Sequence, residues 1–167
     1  MFKINSKTLA RAGIIASLYV ATSFLTFPLA SGAVQFRIGE SLSLLALFMP
    51  ESIIALFIGC VISNLITGCA LLDVFLGSLI TGIASVLTFL VGKLIKSTAL
   101  KVFVGGLFPV FLNAIFLPLI WLVCYGAIEY VYYIQVLLLL IGQSLSVYGV
   151  GSLVYIETHK LLNKKKS

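Results

Sequence analysis

Long apolar runs, separated by few charged residues, are the feature that most restricts what this chain can fold into. Of the 167 residues, 61% are hydrophobic and 10% are charged, whereas soluble domains carry about 25% charged residues. Crossing roughly 30 Å of hydrocarbon takes about 20 apolar residues as a helix. The runs are continuous rather than alternating, which favours helices over the strands of a barrel. The sequence therefore predicts an all-α integral membrane protein.

The basic residues indicate how the chain crosses the membrane. Ten of the eleven Lys and Arg residues fall in three clusters, near the start, the middle and the end, and the positive-inside rule places such clusters in the cytoplasm. An even number of spans must then separate neighbouring clusters. The segment 40–67 is too long for one span, at about 42 Å, so we expect a turn at residues 49–51. Pro50 suits the first turn of the returning helix, and Glu51 complements its dipole.

These rules predict a single membrane domain, residues 1–167, with six transmembrane helices and both termini in the cytoplasm. The first apolar run follows Lys3, Lys7 and Arg11. It is long for the apolar part of a signal peptide, so we expect it to be retained as the first span. The approximate spans are 12–29, 40–49, 51–67, 71–92, 102–125 and 132–158.

Most polar groups inside the apolar runs fall in the outer half of this predicted bundle. The expected second and third spans are short, and short spans in transporters point to a binding cavity. An ionisable group in a membrane costs roughly a few kcal/mol, so it usually has a partner and a function. We therefore expect an outward-facing binding site, with the loop 30–39 as part of its lid. Its candidate residues are Gln35, Phe36, Arg37, Glu40, Asn64, Asp73, Asn113 and Gln143.

Each candidate has a structural interpretation beside the functional one. Arg37 and Glu40 are three residues apart, so they can pair at a helix start or contact a polar solute. Asp73 can complement a helix dipole, or accept two parallel N–H bonds from a guanine-like or amidine-like edge. The candidate amides can bind a heterocycle or join helices through hydrogen bonds. Trp121 can stack on a planar ligand or lie at the membrane interface, and Glu129 among its tyrosines is typical of an interfacial belt.

Several function classes find no support in the sequence. The chain has no G-x-x-x-x-G-K-[ST] motif for ATP, and His159 is its single histidine, so no triad of nucleophile, histidine and acid can form. The three cysteines make no C-x-x-C pair and have no histidine nearby, so we expect neither a metal nor a cofactor. The net charge of +6 lies in terminal and loop clusters, which indicates topology rather than nucleic-acid binding. We predict that the protein is not an enzyme.

Several segments together resemble the QueT family. The similarity is carried by residues 32–40 (GAVQFRIGE), 50–51 (PE), 58–64 (IGCVISN), 71–79 (LLDVFLGSL) and 109–114 (PVFLNA). Members of this family are substrate-binding (S) components of energy-coupling factor (ECF) transporters. Where the family usually has serine and glutamate, this chain has Gly39 and Gln143.

The resemblance implies a six-helix protein of the bacterial plasma membrane that captures a small solute from outside. Its partners would be a transmembrane coupling subunit and two cytoplasmic ATPases. The coupling subunit would dock on Ala12 and Ala16, which are small residues four apart that could equally pack internally. The solute would be a queuosine precursor, a 7-deazaguanine base. Asp73 or Glu40 would hold its guanine-like edge, and Phe36 would cover its ring.

Three alternatives remain at this point. The chain can be an S component for another vitamin or base, or a self-sufficient secondary transporter. A membrane scaffold is a third class, and it is disfavoured because the polar groups are concentrated on one side of the predicted bundle.

Overall fold

The computed structural model of the chain is all-helical, which confirms the all-α part of the predicted fold class. It describes residues 5–30 and 34–164, except for the side chains of residues 29, 30 and 163. This part of the chain contains no strand. The elements in order are α1 (Ser6–Leu25), α2 (Phe27–Ala30), a 3-10 helix (Ile38–Leu47), α3 (Glu51–Ile66), α4 (Leu71–Leu94), α5 (Thr98–Tyr125), α6 (Tyr132–Ser144), a π-helical segment (Leu145–Val150) and α7 (Gly151–Lys164).

Within these described ranges, four helices are long and apolar enough to cross a membrane. They are Ser6–Leu25, Leu71–Leu94, Thr98–Tyr125 and the continuous stretch Tyr132–Leu162. The expected second and third spans correspond to two shorter apolar helices, the 3-10 helix and α3. The chain can therefore cross a membrane several times. The number of six spans and the cytoplasmic position of both termini stay predictions. α3 begins at Glu51, directly after Pro50, where the sequence predicted a turn.

The centre of the bundle is the 3-10 helix Ile38–Leu47, in which nine of ten residues are buried. It contacts α1, α3, α4, α5, α7 and the π-helical segment. A 3-10 helix rises about 2.0 Å per residue, so ten residues span about 20 Å rather than the about 15 Å of an α-helix. Runs of this length are uncommon because the hydrogen-bond geometry is poorer. Here the surrounding helices hold the stretched form in place.

Glycines on two of these helices let the central 3-10 helix approach their backbones. A side-chain carbon at Gly92 of α4 would overlap the Leu47 carbonyl oxygen. At Gly151 of α7, the same carbon would lie 2.7 Å from the Ser41 carbonyl oxygen. Both neighbours are main-chain atoms that cannot rotate away, so only glycine fits at these two positions without displacing the central helix.

Candidate functional site

A cavity of about 360 Å³ opens at one end of the bundle, a volume within the usual range for small-molecule sites. It lies where α3 and α5 end and where α4 and α6 begin, with α1 on a further side. Its wall is formed by Tyr19, Ser23, Phe27, Gln35, Arg37, Ser63, Asn64, Thr67, Gly68, Cys69, Asp73, Trp121, Tyr125, Ala127, Ile128, Glu129 and Gln135. In the predicted six-span topology, with both termini in the cytoplasm, the connections at this end lie outside the membrane.

The cavity brings together half of the candidate residues from the sequence. Those in its wall are Gln35, Arg37, Asn64 and Asp73. The others are not part of the wall, namely Phe36, Glu40, Asn113 and Gln143. Residues 31–33 of the expected lid loop lie outside the described residues. That the wall residues bind a ligand stays a prediction.

Asp73 and Asn64 form the most polar corner of the cavity. Asp73 is buried at the start of α4, and the Tyr125 hydroxyl donates to its Oδ2 at 3.0 Å. The same hydroxyl accepts the Ala70 N–H at 3.0 Å, which joins the end of α5 to the start of α4. Asp73 Oδ1 and Asn64 Nδ2 lie 3.4 and 3.5 Å from the point where a side-chain carbon at Gly77 would sit. A carboxylate accepts up to about four hydrogen bonds, so Asp73 can take N–H donors from a ligand besides Tyr125.

Arg37 supplies a positive charge in the same wall. It precedes the 3-10 helix in an extended conformation, with φ −94° and ψ 99°. Burial by itself lowers the pKa of its guanidinium, but interactions with Tyr19, Cys60 and the Glu40 carboxylate outweigh this effect and leave the pKa above its usual value. Arg37 therefore stays charged and can donate N–H bonds to a carbonyl or an anion.

Glu40 lies in the interior and is 1% exposed. The Tyr19 hydroxyl donates to its Oε1 at 2.6 Å, the Thr81 hydroxyl to the same oxygen at 3.3 Å and the Ser43 hydroxyl to Oε2 at 3.3 Å. The possible ion pair with Arg37 is not formed: in the described residues the ion pairs are Arg11–Glu51 and Lys160–Glu157. Residues three apart face each other only within a helix, whereas Arg37 is extended.

Asn113 and Gln143 lie deeper in the protein, 1% and 0% exposed. Asn113 Nδ2, both side-chain polar atoms of Gln143 and the Ser146 hydroxyl oxygen have no hydrogen-bond partner among the described residues. An unpaired buried polar group costs about 1–3 kcal/mol. These groups are therefore suited to bind a polar molecule that reaches them.

Gly142 holds the chain segment that carries Gln35 against α6. A side-chain carbon at Gly142 would overlap the Val34 carbonyl oxygen and lie 3.0 Å from the Gln35 carbonyl oxygen. Gln35 has a φ of +45°, a left-handed conformation that costs roughly 1–2 kcal/mol for a residue with a side chain. The close contact at Gly142 thus fixes a strained residue of the cavity wall.

The proposed docking residues on α1 are partly used inside the protein. Ala12 and Ala16 are half-buried and pack against the core, and the Ala16 carbonyl oxygen lies 3.2 Å from a side-chain carbon placed at Gly59 of α3. Gly13 and Ser17 are exposed beside them. An apolar groove of about 560 Å³ runs along this face between α1 and α3. Docking there stays a prediction.

Tyr19, Tyr125 and Gln135 are among the polar wall residues that were not predicted from the sequence. A tyrosine or glutamine within an apolar run needs a hydrogen-bond partner, and that requirement is the signal that could have pointed to Tyr19 and Gln135. Glu129 is exposed and lines the cavity, although its tyrosine neighbours indicated an interfacial belt. In the part of the chain that is described, no group of three or more His, Cys, Asp or Glu could hold a metal ion.

The comparison with protein families gives the chain its class. Residues 9–160 match the family model for the QueT transporter. The chain belongs to the QueT transporter family. The known role of this family is that of a membrane transporter's substrate-binding component. With its apolar helices, the protein is therefore a multi-pass membrane protein that serves in transport, and the family is not one of enzymes. No curated protein and no solved structure matches the chain.

Proposed function

We propose that this protein is the substrate-binding subunit of an ATP-driven ECF-type uptake transporter in a bacterial plasma membrane. Its solute is a queuosine precursor with a 7-deazaguanine base. The choice of solute rests on one observation: a buried carboxylate, Asp73, and the side-chain amide of Asn64 lie close together in the wall of a small cavity.

The wall of the cavity suits a planar base with a guanine-like edge. Such an edge presents adjacent N–H donors and a carbonyl acceptor. Asp73 accepts the donors, while Asn64 and Arg37 have N–H groups for the carbonyl. Trp121 offers a flat aromatic surface for stacking. Gln35 completes the polar wall, and Glu40 is assigned no contact with the base because it lies behind the wall.

The deeper candidates take a secondary place in this proposal. Asn113 and Gln143 contribute if part of the solute extends below the wall, where their unpaired amides would gain partners. Phe36 covers the ring only if the loop moves when the solute binds. We therefore expect substitutions at these three positions to affect binding less than substitutions at Asp73.

The topology in the proposal has six crossings with both termini in the cytoplasm. Arg11 Nη1 lies 3.4 Å from Glu51 Oε1, so α1 and α3 begin at the same end of the bundle. The contact of Tyr125 with Ala70 places the end of α5 and the start of α4 together at the cavity end. Since the basic N-terminal cluster precedes α1, the end with Arg11 is cytoplasmic and the cavity faces outward.

Energy for uptake comes from partner subunits, because the chain has no phosphate-binding motif of its own. A transmembrane coupling subunit docks on the α1 face with Ala12 and Ala16, and two ATPases bind that subunit in the cytoplasm. Because Ala12 and Ala16 also pack internally, Gly13→Trp is the better test. It should abolish uptake by the full complex and spare binding by the isolated subunit, whereas loss of both would indicate misfolding.

Binding of 7-deazaguanine to the purified protein tests the assignment of the solute. A ligand at 100 times its Kd stabilises the folded state by about 2.7 kcal/mol, which a thermal-unfolding measurement detects. Hydrogen bonds to a charged group are worth about 1.5–3 kcal/mol, so Asp73→Asn should weaken binding about 10- to 150-fold. Glu157→Gln, an exposed carboxylate on α7, is the matched control.

Other outcomes would favour the alternatives. Unchanged affinity in both Asp73→Asn and Arg37→Ala would exclude this site. Stabilisation by a different vitamin or base, with none by 7-deazaguanine, would indicate an S component for another solute. Proton-coupled uptake by this chain alone in liposomes would establish a secondary transporter.

A further inference from the structure

Tyr19 occupies an unusual place on α1. The helix has two buried residues, Ile15 and Tyr19, and the other side chains face outward or are partly covered. Tyr19 is 2% exposed and also forms part of the cavity wall. It is thus a buried polar residue that α1 contributes to the cavity wall.

Two glycines from different elements leave room for the Tyr19 ring. A side-chain carbon at Gly39, in the central 3-10 helix, would overlap Ser23 Oγ and would lie 3.2 Å from the Tyr19 ring atoms Cε2 and Cζ. At Gly59 of α3 it would lie 2.9 Å from Tyr19 Cβ and 3.1 Å from Cγ. The ring is therefore confined at both its hydroxyl end and its base, and its orientation is fixed.

The hydroxyl hydrogen of Tyr19 is committed to Glu40. The oxygen–oxygen distance of 2.6 Å is that of a strong hydrogen bond to a carboxylate. Thr81 and Ser43 donate to the same carboxylate, so its two oxygens are engaged by three protein hydroxyls. These three bonds fill most of the about four acceptor positions of a carboxylate, and Glu40 is 1% exposed and outside the cavity wall, so the solute reaches Tyr19 rather than Glu40.

We propose that Glu40 is a positioning residue that acts through Tyr19, and that the Tyr19 phenolic oxygen contacts the solute as a hydrogen-bond acceptor. A phenol has one hydrogen to donate. Because Glu40 takes that hydrogen, the oxygen is left with lone pairs, and the charged partner strengthens it as an acceptor. Tyr19 then selects solutes that present an N–H donor to this side of the cavity. Arg37 does the reverse, because its guanidinium donates hydrogen bonds and selects an acceptor on the solute.

This inference rests on the proposed function, and a double-mutant cycle in Kd separates it from a direct role of Glu40. The variants are Tyr19→Phe, Glu40→Gln and the double variant, titrated with 7-deazaguanine. Binding is followed through the fluorescence of Trp121, the chain's one tryptophan and a residue of the wall. Ser43→Ala is the control, since it removes a donor to Glu40 without touching Tyr19.

We expect Tyr19→Phe to raise Kd about 10-fold, as for loss of one hydrogen bond. Glu40→Gln should raise it by a smaller factor in the wild-type background and by no measurable factor once Tyr19 is Phe. Ser43→Ala should leave Kd within about twofold of wild type. Ligand-free unfolding temperatures, measured in parallel, separate these effects on Kd from effects on stability.

Gly39→Ala provides a second route if Tyr19→Phe does not fold. The added carbon would overlap Ser23 Oγ as well as press on the hydroxyl end of the ring, so Kd should rise both in Gly39→Ala and in the double variant Gly39→Ala, Ser23→Ala, compared with Ser23→Ala alone. Gly13→Ala on the exposed side of α1 should not change Kd. Unchanged Kd in Tyr19→Phe, or effects of Tyr19→Phe and Glu40→Gln that multiply, would overturn this inference and leave the proposed solute in place. If the wild-type protein does not bind 7-deazaguanine, the proposed function fails and this role of Tyr19 fails with it.

Discussion

The substitution Gly142→Ala tests how the cavity wall is held in place. The added methyl group would overlap the Val34 carbonyl oxygen. α6 packs along α5, whereas residues 34–37 precede the 3-10 helix without regular structure. The strain should therefore be relieved by movement of this segment, which carries Gln35 and Arg37 away from the cavity.

The size of the effect follows from the contact. Inserting a methyl group into a packed site costs about 1–3 kcal/mol, which corresponds to a 5- to 150-fold shift between two states. When the segment moves away, Gln35 can leave its left-handed conformation. This relaxation stabilises the displaced state by at most about 1–2 kcal/mol and favours displacement further. If binding needs the segment in place, the apparent Kd for the solute rises by up to the same factor, and by the full factor once the displaced state predominates.

Quenching of Trp121 fluorescence by iodide measures this movement without any ligand. Gly149→Ala is the matched control, because it lies seven residues further along the same continuous stretch and its methyl group would meet nothing within 4 Å. We expect stronger quenching and weaker solute binding in Gly142→Ala, and wild-type values in Gly149→Ala. Equal quenching and equal Kd in the two variants would refute the idea that Gly142 holds the segment.

Three further substitutions test the packing of the bundle, each by thermal unfolding of the purified protein. Gly92→Ala should destabilise it by about 1–3 kcal/mol, because the methyl group would overlap the Leu47 carbonyl oxygen; an unchanged unfolding temperature would contradict the close approach. Gly13→Ala should instead stabilise α1 by about 0.5–1 kcal/mol, since nothing lies within 4 Å of the added carbon, and destabilisation would show a contact there. Tyr125→Phe should lower stability by about 0.5–1.5 kcal/mol through loss of the bond to Asp73, and wild-type stability would mean that water replaces the hydroxyl.

The sequence was sufficient to predict an all-helical chain but not to give the form of its central helix. Apolar runs and the Pro50–Glu51 pair lie where helices and a helix start are found. The run Ile38–Leu47 has the composition of a short span, and nothing local distinguishes a 3-10 helix from an α-helix there. Its form depends on glycines of α4 and α7 that are distant in sequence, so it follows from tertiary packing.

In the candidate site, too, features that depend on one residue were predictable from the sequence, whereas contacts between residues far apart in the chain were not. The charge of Asp73 in an apolar chain was enough to nominate it, and the structure places it in the cavity wall. The position of Glu40 was not predictable from Arg37 three residues before it, because the partner at 2.6 Å is Tyr19, twenty-one residues away. Pairing between helices depends on their relative rotation, which one sequence does not reveal.

The π-helical segment Leu145–Val150 sets the angular relation between the two halves of the last transmembrane stretch. In a regular α-helix, residues nine apart, as Gly142 and Gly151 are, point in opposite directions, since each residue turns the helix by about 100°. Both glycines nevertheless contact the segment 34–41. The wide π turn accounts for this because it holds one residue more than an α-helix needs to cover the same rotation. Deletion of one residue within 145–150 should therefore preserve the angular phase of α7, whereas deletion within 151–155 should turn the helix beyond it by about 100°.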